Sequence, residues 1–106
     1  MKLAITFVGI GIAALIAAVS ALLPDAATDR GKEVYAMQKC ALCHSISGVG
    51  GKMLPLDGVG TRLTAENMGK WIRTPKAMKA DTAMKAYPNL PEKDLADLTA
   101  YLLTLK

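Results

Sequence analysis

With 106 residues and a formal charge of +4 at pH 7, the chain has room for one small domain and a terminal segment. Omitting Lys2 leaves twelve basic residues against nine acidic ones, too mild a balance for a nucleic-acid binder, and no basic stripe interleaved with aromatics points to one. Two cysteines and a single histidine leave no disulfide framework and too few ligands for a zinc site.

Apolar or small residues run from Leu3 to Leu23, broken only by Thr6 and Ser20 and preceded by Lys2. The run is about 21 residues, enough for a helix that crosses a bilayer. It predicts a transmembrane anchor over residues 1–24 with a second domain over 25–106. The alternative is a signal peptide cleaved near Val19-Ser20-Ala21 or Asp25-Ala26-Ala27. In both cases Lys2 stays on the cytoplasmic side and everything after Pro24 is exported to the periplasm. Cleavage would leave a soluble periplasmic protein. Retention would tether it to the inner membrane through residues 3–23.

Pro24 to Thr28 reads as a polar connection, with Thr28 or Asp29 capping a helix to about Lys39. Gly31 costs that helix stability, so its bare side predicts close approach by another element. Cys40-Ala41-Leu42-Cys43-His44 follows. The pattern C-x-x-C-H is the attachment signature of c-type haem: two thiols add across the porphyrin vinyl groups, and the next residue offers its imidazole to the iron. A thioredoxin-like dithiol would instead follow a buried strand in a βαβ pattern, which the helical stretch before Cys40 does not supply.

Ser45 to Gly60 is rich in glycine, includes Pro55 and has no sustained period, so it reads as a long loop. A loop that long is unusual in a compact domain unless something gives it a surface, and a haem edge would. Thr64 can cap a second helix to about Thr74, stopped by Pro75. Lys76 to Pro88 is again irregular. The last helix begins at Pro91, with Glu92 and Asp94 in its first turn, and carries Leu95, Leu98, Leu102 and Leu105 as one stripe. No strand pattern appears, so the exported part is expected to be all-α. A chain of roughly 80 residues buries little core by itself, and a large apolar cofactor would complete it.

Gly31-x-x-x-Tyr35 before the C-x-x-C-H motif, then Leu56-Asp57-Gly58-Val59-Gly60-x-Arg62, Trp71-Ile72-x-x-Pro75, Met84 and Asp94-Leu95-x-x-Leu98-x-x-Tyr101-Leu102, resembles the class I cytochromes c of bacteria. The resemblance covers Asp25 to Lys106. It implies one covalent haem c enclosed by three to five helices, the first and last crossing where Gly31 and Tyr35 meet Leu98 and Tyr101. It also implies His44 as proximal and Met84 as distal ligand, with Arg62 and Trp71 near the haem propionates.

Among the downstream methionines, Met53 is close along the loop and Met68 lies in a predicted helix. Met78 and Met84 both fall in the irregular segment; Met84 stands where related proteins carry their ligand, with Lys85 in place of the usual proline. A second departure lies in Met53-Leu54-Pro55-Leu56-Asp57-Gly58, where the proline comes one position late. In relatives a carbonyl near that proline accepts a hydrogen bond from the proximal histidine, so either Leu54 or Pro55 is expected to supply it.

With both axial positions filled, the expected function is one-electron transfer in a respiratory or photosynthetic chain, not catalysis, with redox proteins as partners and no small-molecule substrate. Lys39, Lys52, Lys76, Lys79 and Lys85 are expected to border the haem crevice, where a basic rim would steer an acidic partner. The alternatives are the soluble carrier and, with a displaceable sixth ligand, a haem peroxidase or ligand sensor. Retention of the N-terminal helix would favour a subunit of a membrane complex.

Overall fold

The computed structural model describes residues 25–106. The apolar run 3–23, and with it the expected anchor, lies outside the described residues. Among those described, no helix is long and apolar enough to cross a membrane.

Helix α1 spans Ala26–Met37 and starts earlier than expected. The Asp25 carboxylate accepts the Ala27 N–H at 3.0 Å, so Asp25 and not Thr28 or Asp29 satisfies the free amides of the first turn. After α1 the chain turns through Lys39, whose φ of 58° is left-handed, into a 3₁₀ turn at Cys40–Leu42.

The expected long loop is a small sheet. Strand β1 is His44–Ile46, β2 Val49–Gly50 and β3 Leu54–Pro55, in the order β2-β1-β3. The β1–β2 turn places Ser47 and Gly48 at φ 51° and 79°, the paired positive φ of a tight I′ hairpin. The Asp57 carboxylate accepts the Ser47 N–H at 3.0 and 3.1 Å, tying the turn to the far end of the segment. Strand β3 runs parallel to β1, pairing His44 with Leu54 and Ser45 with Pro55. It is an edge strand, where a proline costs no ladder bond.

Gly58, left-handed at φ 77°, opens the single-turn helix α2, Val59–Arg62. A side chain on Gly60 would run into the Leu103 carbonyl, and the Gly60 N–H donates to the Leu105 carbonyl at 2.8 Å, which docks α2 on the C-terminal end of the chain. Helix α3, Ala65–Arg73, is capped as expected: the Thr64 hydroxyl accepts the Asn67 N–H at 3.1 Å. Pro75 ends α3 and at once begins another helical turn, α4, Pro75–Met78, because its fixed φ suits a first helical position as well as it blocks an interior one. Of the stretch expected to be irregular, Lys76 to Pro88, the first three residues belong to α4, and the irregular segment is 79–91.

Helix α5, Glu92–Leu103, uses Pro91 as its N-terminal flank and stops three residues short of the end of the chain. It crosses α1 at Gly31, where a Cβ would overlap the Asp97 carbonyl and lie 2.6 Å from Tyr101 Cβ. Beside this crossing the Tyr35 and Tyr101 rings meet edge to face, 5.9 Å apart. The described residues thus form a mostly helical domain of five helices, whose core is Val34, Val59, Met68, Ile72, Leu90, Leu98 and Leu102.

Candidate haem-binding site

Two of the sequence-predicted residues, Cys40 and Cys43, share one turn, and the third, His44, follows it directly. The Cys43 N–H donates to the Cys40 carbonyl at 3.2 Å, closing the 3₁₀ turn that presents both thiols. Neither cysteine is paired; Cys40 is half-buried and Cys43 exposed. The Gly51 N–H donates to Ala41 O at 2.8 Å and the Met53 N–H to Cys43 O at 3.1 Å, so the returning chain is laced onto the turn. A Cβ on Gly51 would collide with the Leu42 carbonyl, which explains why that position is bare.

His44 follows as the first residue of β1. Its Nδ1 donates to the Leu54 carbonyl at 2.9 Å. A carbonyl can only accept, so the proton is on Nδ1 and the neutral ring keeps its lone pair on Nε2, the form a metal requires. Leu54, not Pro55, therefore supplies the bond that the sequence left open between the two. The same pairing of β1 with β3 holds the acceptor in place.

The remaining candidates are more scattered. Met84 lies in the irregular segment 79–91, half-buried and packed against the core cluster, with its N–H bonded to the Thr82 hydroxyl at 3.2 Å. Met78 closes α4. Arg62, at the end of α2, is exposed and donates one Nη1 bond to the Asp57 carbonyl at 2.8 Å. Trp71 is half-buried on α3. No hydrogen bond among the described residues joins Arg62 or Trp71 to the turn that holds the cysteines.

Two residues escaped the sequence reading as parts of the site. The Tyr35 hydroxyl is buried without a partner. Burial, reinforced by the charge a Cys40 thiolate would carry, pushes its phenol up to about 12. Tyr87 donates its hydroxyl to the Gln38 carbonyl at 3.1 Å. Burial likewise raises its phenol, with smaller contributions from the thiolate forms of Cys40 and Cys43.

This donor set fits a covalently held haem and fits its rivals poorly. Burial raises the Cys40 thiol, whereas a thiol–disulfide redox centre depends on a lowered one. Among the described residues no group of three or more His, Cys, Asp or Glu side chains could hold a metal ion directly. Leu42, Met53 and Leu54, 75%, 69% and 56% exposed, place apolar surface on and beside the attachment turn, as a porphyrin face requires.

A small helical domain that presents two free thiols on one turn and an Nε2 lone pair on the strand that follows it is a haem-attachment domain of the c type. Comparison with known families agrees: the Cytochrome c family matches residues 28–106, and the chain belongs to that family. Membership implies a haem cofactor and a role in haem-based electron transfer. The chain is also 33% identical to cytochrome c oxidase subunit 2 of Alkalihalophilus pseudofirmus, over 74% of this chain and 25% of that protein. It therefore spans about a quarter of the length of this relative.

Proposed function

We propose that the protein is a one-electron carrier holding a single haem c through Cys40 and Cys43, with His44 and Met84 as the axial ligands. The observation that carries this reading is the 2.9 Å bond from His44 Nδ1 to the Leu54 carbonyl, next to two unpaired thiols. Haem supplies a reversible one-electron change at iron, and a thioether ligand raises its reduction potential. The chain's own residues orient and insulate. Leu54 fixes the imidazole plane and keeps Nδ1 protonated.

Met84 suits the distal position better than Met78, because its segment is free of helical constraint and its side chain already packs inward. Arg62 commits one donor to Asp57 and has further guanidinium donors for a propionate; half-buried Trp71 is the second candidate there. With both axial positions used by protein, no iron site is left for a substrate, which favours carrier over enzyme.

The partner reading is another redox protein, or other subunits of an oxidase-type complex in the membrane, to which residues 3–23 would tether an exported haem domain. Similarity to an oxidase subunit supports it. So does charge: Lys39, Lys52, Lys76, Lys79 and Lys85 are exposed and take part in none of the ion pairs among the described residues. Unpaired like charge of this kind accelerates association with an acidic partner.

Intact-mass spectrometry on washed membranes and on the soluble fraction tests the whole reading. The full chain plus one haem in membranes is the expected species. A soluble species lacking the first two dozen or so residues would make the protein a diffusible carrier, and a mass without haem in both fractions would overturn the role of Cys40, Cys43 and His44.

A further inference from the structure

Met84 has almost no backbone anchor of its own. Between the end of α4 and Tyr87 the backbone ties among the described residues are all short-range: the Lys79 N–H to Pro75 O at 3.0 Å, the Thr82 N–H to Lys79 O at 3.1 Å and the Met84 N–H to the Thr82 hydroxyl at 3.2 Å. Such bonds shape the segment locally without fixing it to the body of the domain. Long-range anchoring begins three residues later. The Tyr87 N–H donates to the Ile72 carbonyl at 2.9 Å near the end of α3. Its hydroxyl donates to the Gln38 carbonyl at 3.1 Å, just past the end of α1. Next to it the Arg73 guanidinium donates to the Pro88 carbonyl at 3.0 Å and to Glu92 at 2.9 Å.

We propose that Tyr87, backed by Arg73, is the positioning residue for Met84: a clasp from α1 and α3 that sets how readily the thioether leaves the iron. The inference rests on Met84 as the distal ligand. The phenol bond borders an open cavity of about 280 Å³ lined by Gln38, Tyr87 and Pro88 to Pro91, so water can take over the Gln38 carbonyl when the hydroxyl is removed. A Tyr87→Phe variant therefore keeps its ring packing and loosens the clasp alone.

The test uses the full chain carrying its haem, in the ferric state, titrated with imidazole as a competitor for the distal position. The weak long-wavelength charge-transfer band of thioether-ligated ferric haem reports Met84 directly. Loss of one neutral hydrogen bond converts to about fivefold tighter imidazole binding in Tyr87→Phe, and Arg73→Gln shifts binding in the same direction. Thr99→Val, which removes a buried hydroxyl bond to the Ala96 carbonyl within α5, lowers stability to a similar degree and leaves imidazole affinity unchanged. The band disappears in Met84→Ala and persists in Met78→Ala. If the band survives Met84→Ala, the ligand assignment fails and the clasp falls with it. If the band is lost there but Tyr87→Phe binds imidazole as the parent does, the clasp alone is overturned.

Discussion

On the ligand assignment proposed above, residues 40–55 and residues 79–91 offer opposite solutions to holding a ligand. In the first region His44 stands between two covalent attachment points and a strand pair, its ring bonded to the neighbouring strand at 2.9 Å. In the second, Met84 lies on a stretch without regular structure, and its one hydrogen bond among the described residues goes to a residue two places away. A covalent motif needs an exact frame, because both thiols must reach fixed points on one ring. The opposite ligand needs only a thioether within reach, so its position can be left to a clasp. On that assignment the domain is rigid where its cofactor would be attached and adjustable where the distal ligand would sit.

The contrast can be broken most strongly on the rigid side. Gly51→Ala drives a methyl into the Leu42 carbonyl and to 2.8 Å from the Cys43 backbone, and neither can yield without disturbing the attachment turn. A loss of about 3 kcal/mol is expected, read from urea unfolding of the haem-loaded protein. Ala83→Gly, on the exposed part of the adjustable segment, is expected to cost no more than about 0.5 kcal/mol by the same measurement. Equal losses at the two positions would erase the difference between the regions.

Met84→His sharpens the comparison from the other side. Replacing a thioether by an imidazole lowers the reduction potential, by on the order of 0.1 V given the roughly 0.8 V that axial ligands command across haem proteins. Potentiometric titration checks it, and the same exchange at Met78 is expected to leave the potential near that of the parent.

The smallest effect lies outside both regions, at Tyr35 on α1. Its phenol moves from 10.0 to about 12 in the folded chain, so the folded state holds a proton that the unfolded state releases first. That contribution is complete below pH 10 and is lost as the pH rises towards 12. Urea midpoints between those limits should fall less steeply in Tyr35→Phe than in the parent. Haem attachment removes the Cys40 thiolate and leaves burial and the charge of a Tyr101 phenolate as the causes, so a smaller total fall than in the free chain is expected.

What could be read without coordinates follows the range over which each signal acts. The C-x-x-C-H turn was legible because its spacing is itself the chemistry, and Gly31 because a missing side chain marks a close approach. The cap at Thr64 was legible as a local bond to Asn67. The start of α1 was misplaced because Asp25, Thr28 and Asp29 are all competent caps and only the fold selects among them. Strands of three, two and two residues are too short to show alternation, so the sheet read as loop. The helical turn after Pro75 was missed because a proline that stops one helix can also start the next. The Tyr87 bond was invisible for another reason: it spans 49 positions to a backbone atom.

The acceptor opposite His44 is a main-chain oxygen, and every residue type carries one. Position 54 can therefore exchange its side chain over generations without altering the proton on Nδ1, provided the strand pairing survives. Evolution has no letter to preserve there, only a shape. The proline at position 55 leaves that bond untouched, since Leu54 accepts from Nδ1 at 2.9 Å and Pro55 follows it on the same strand.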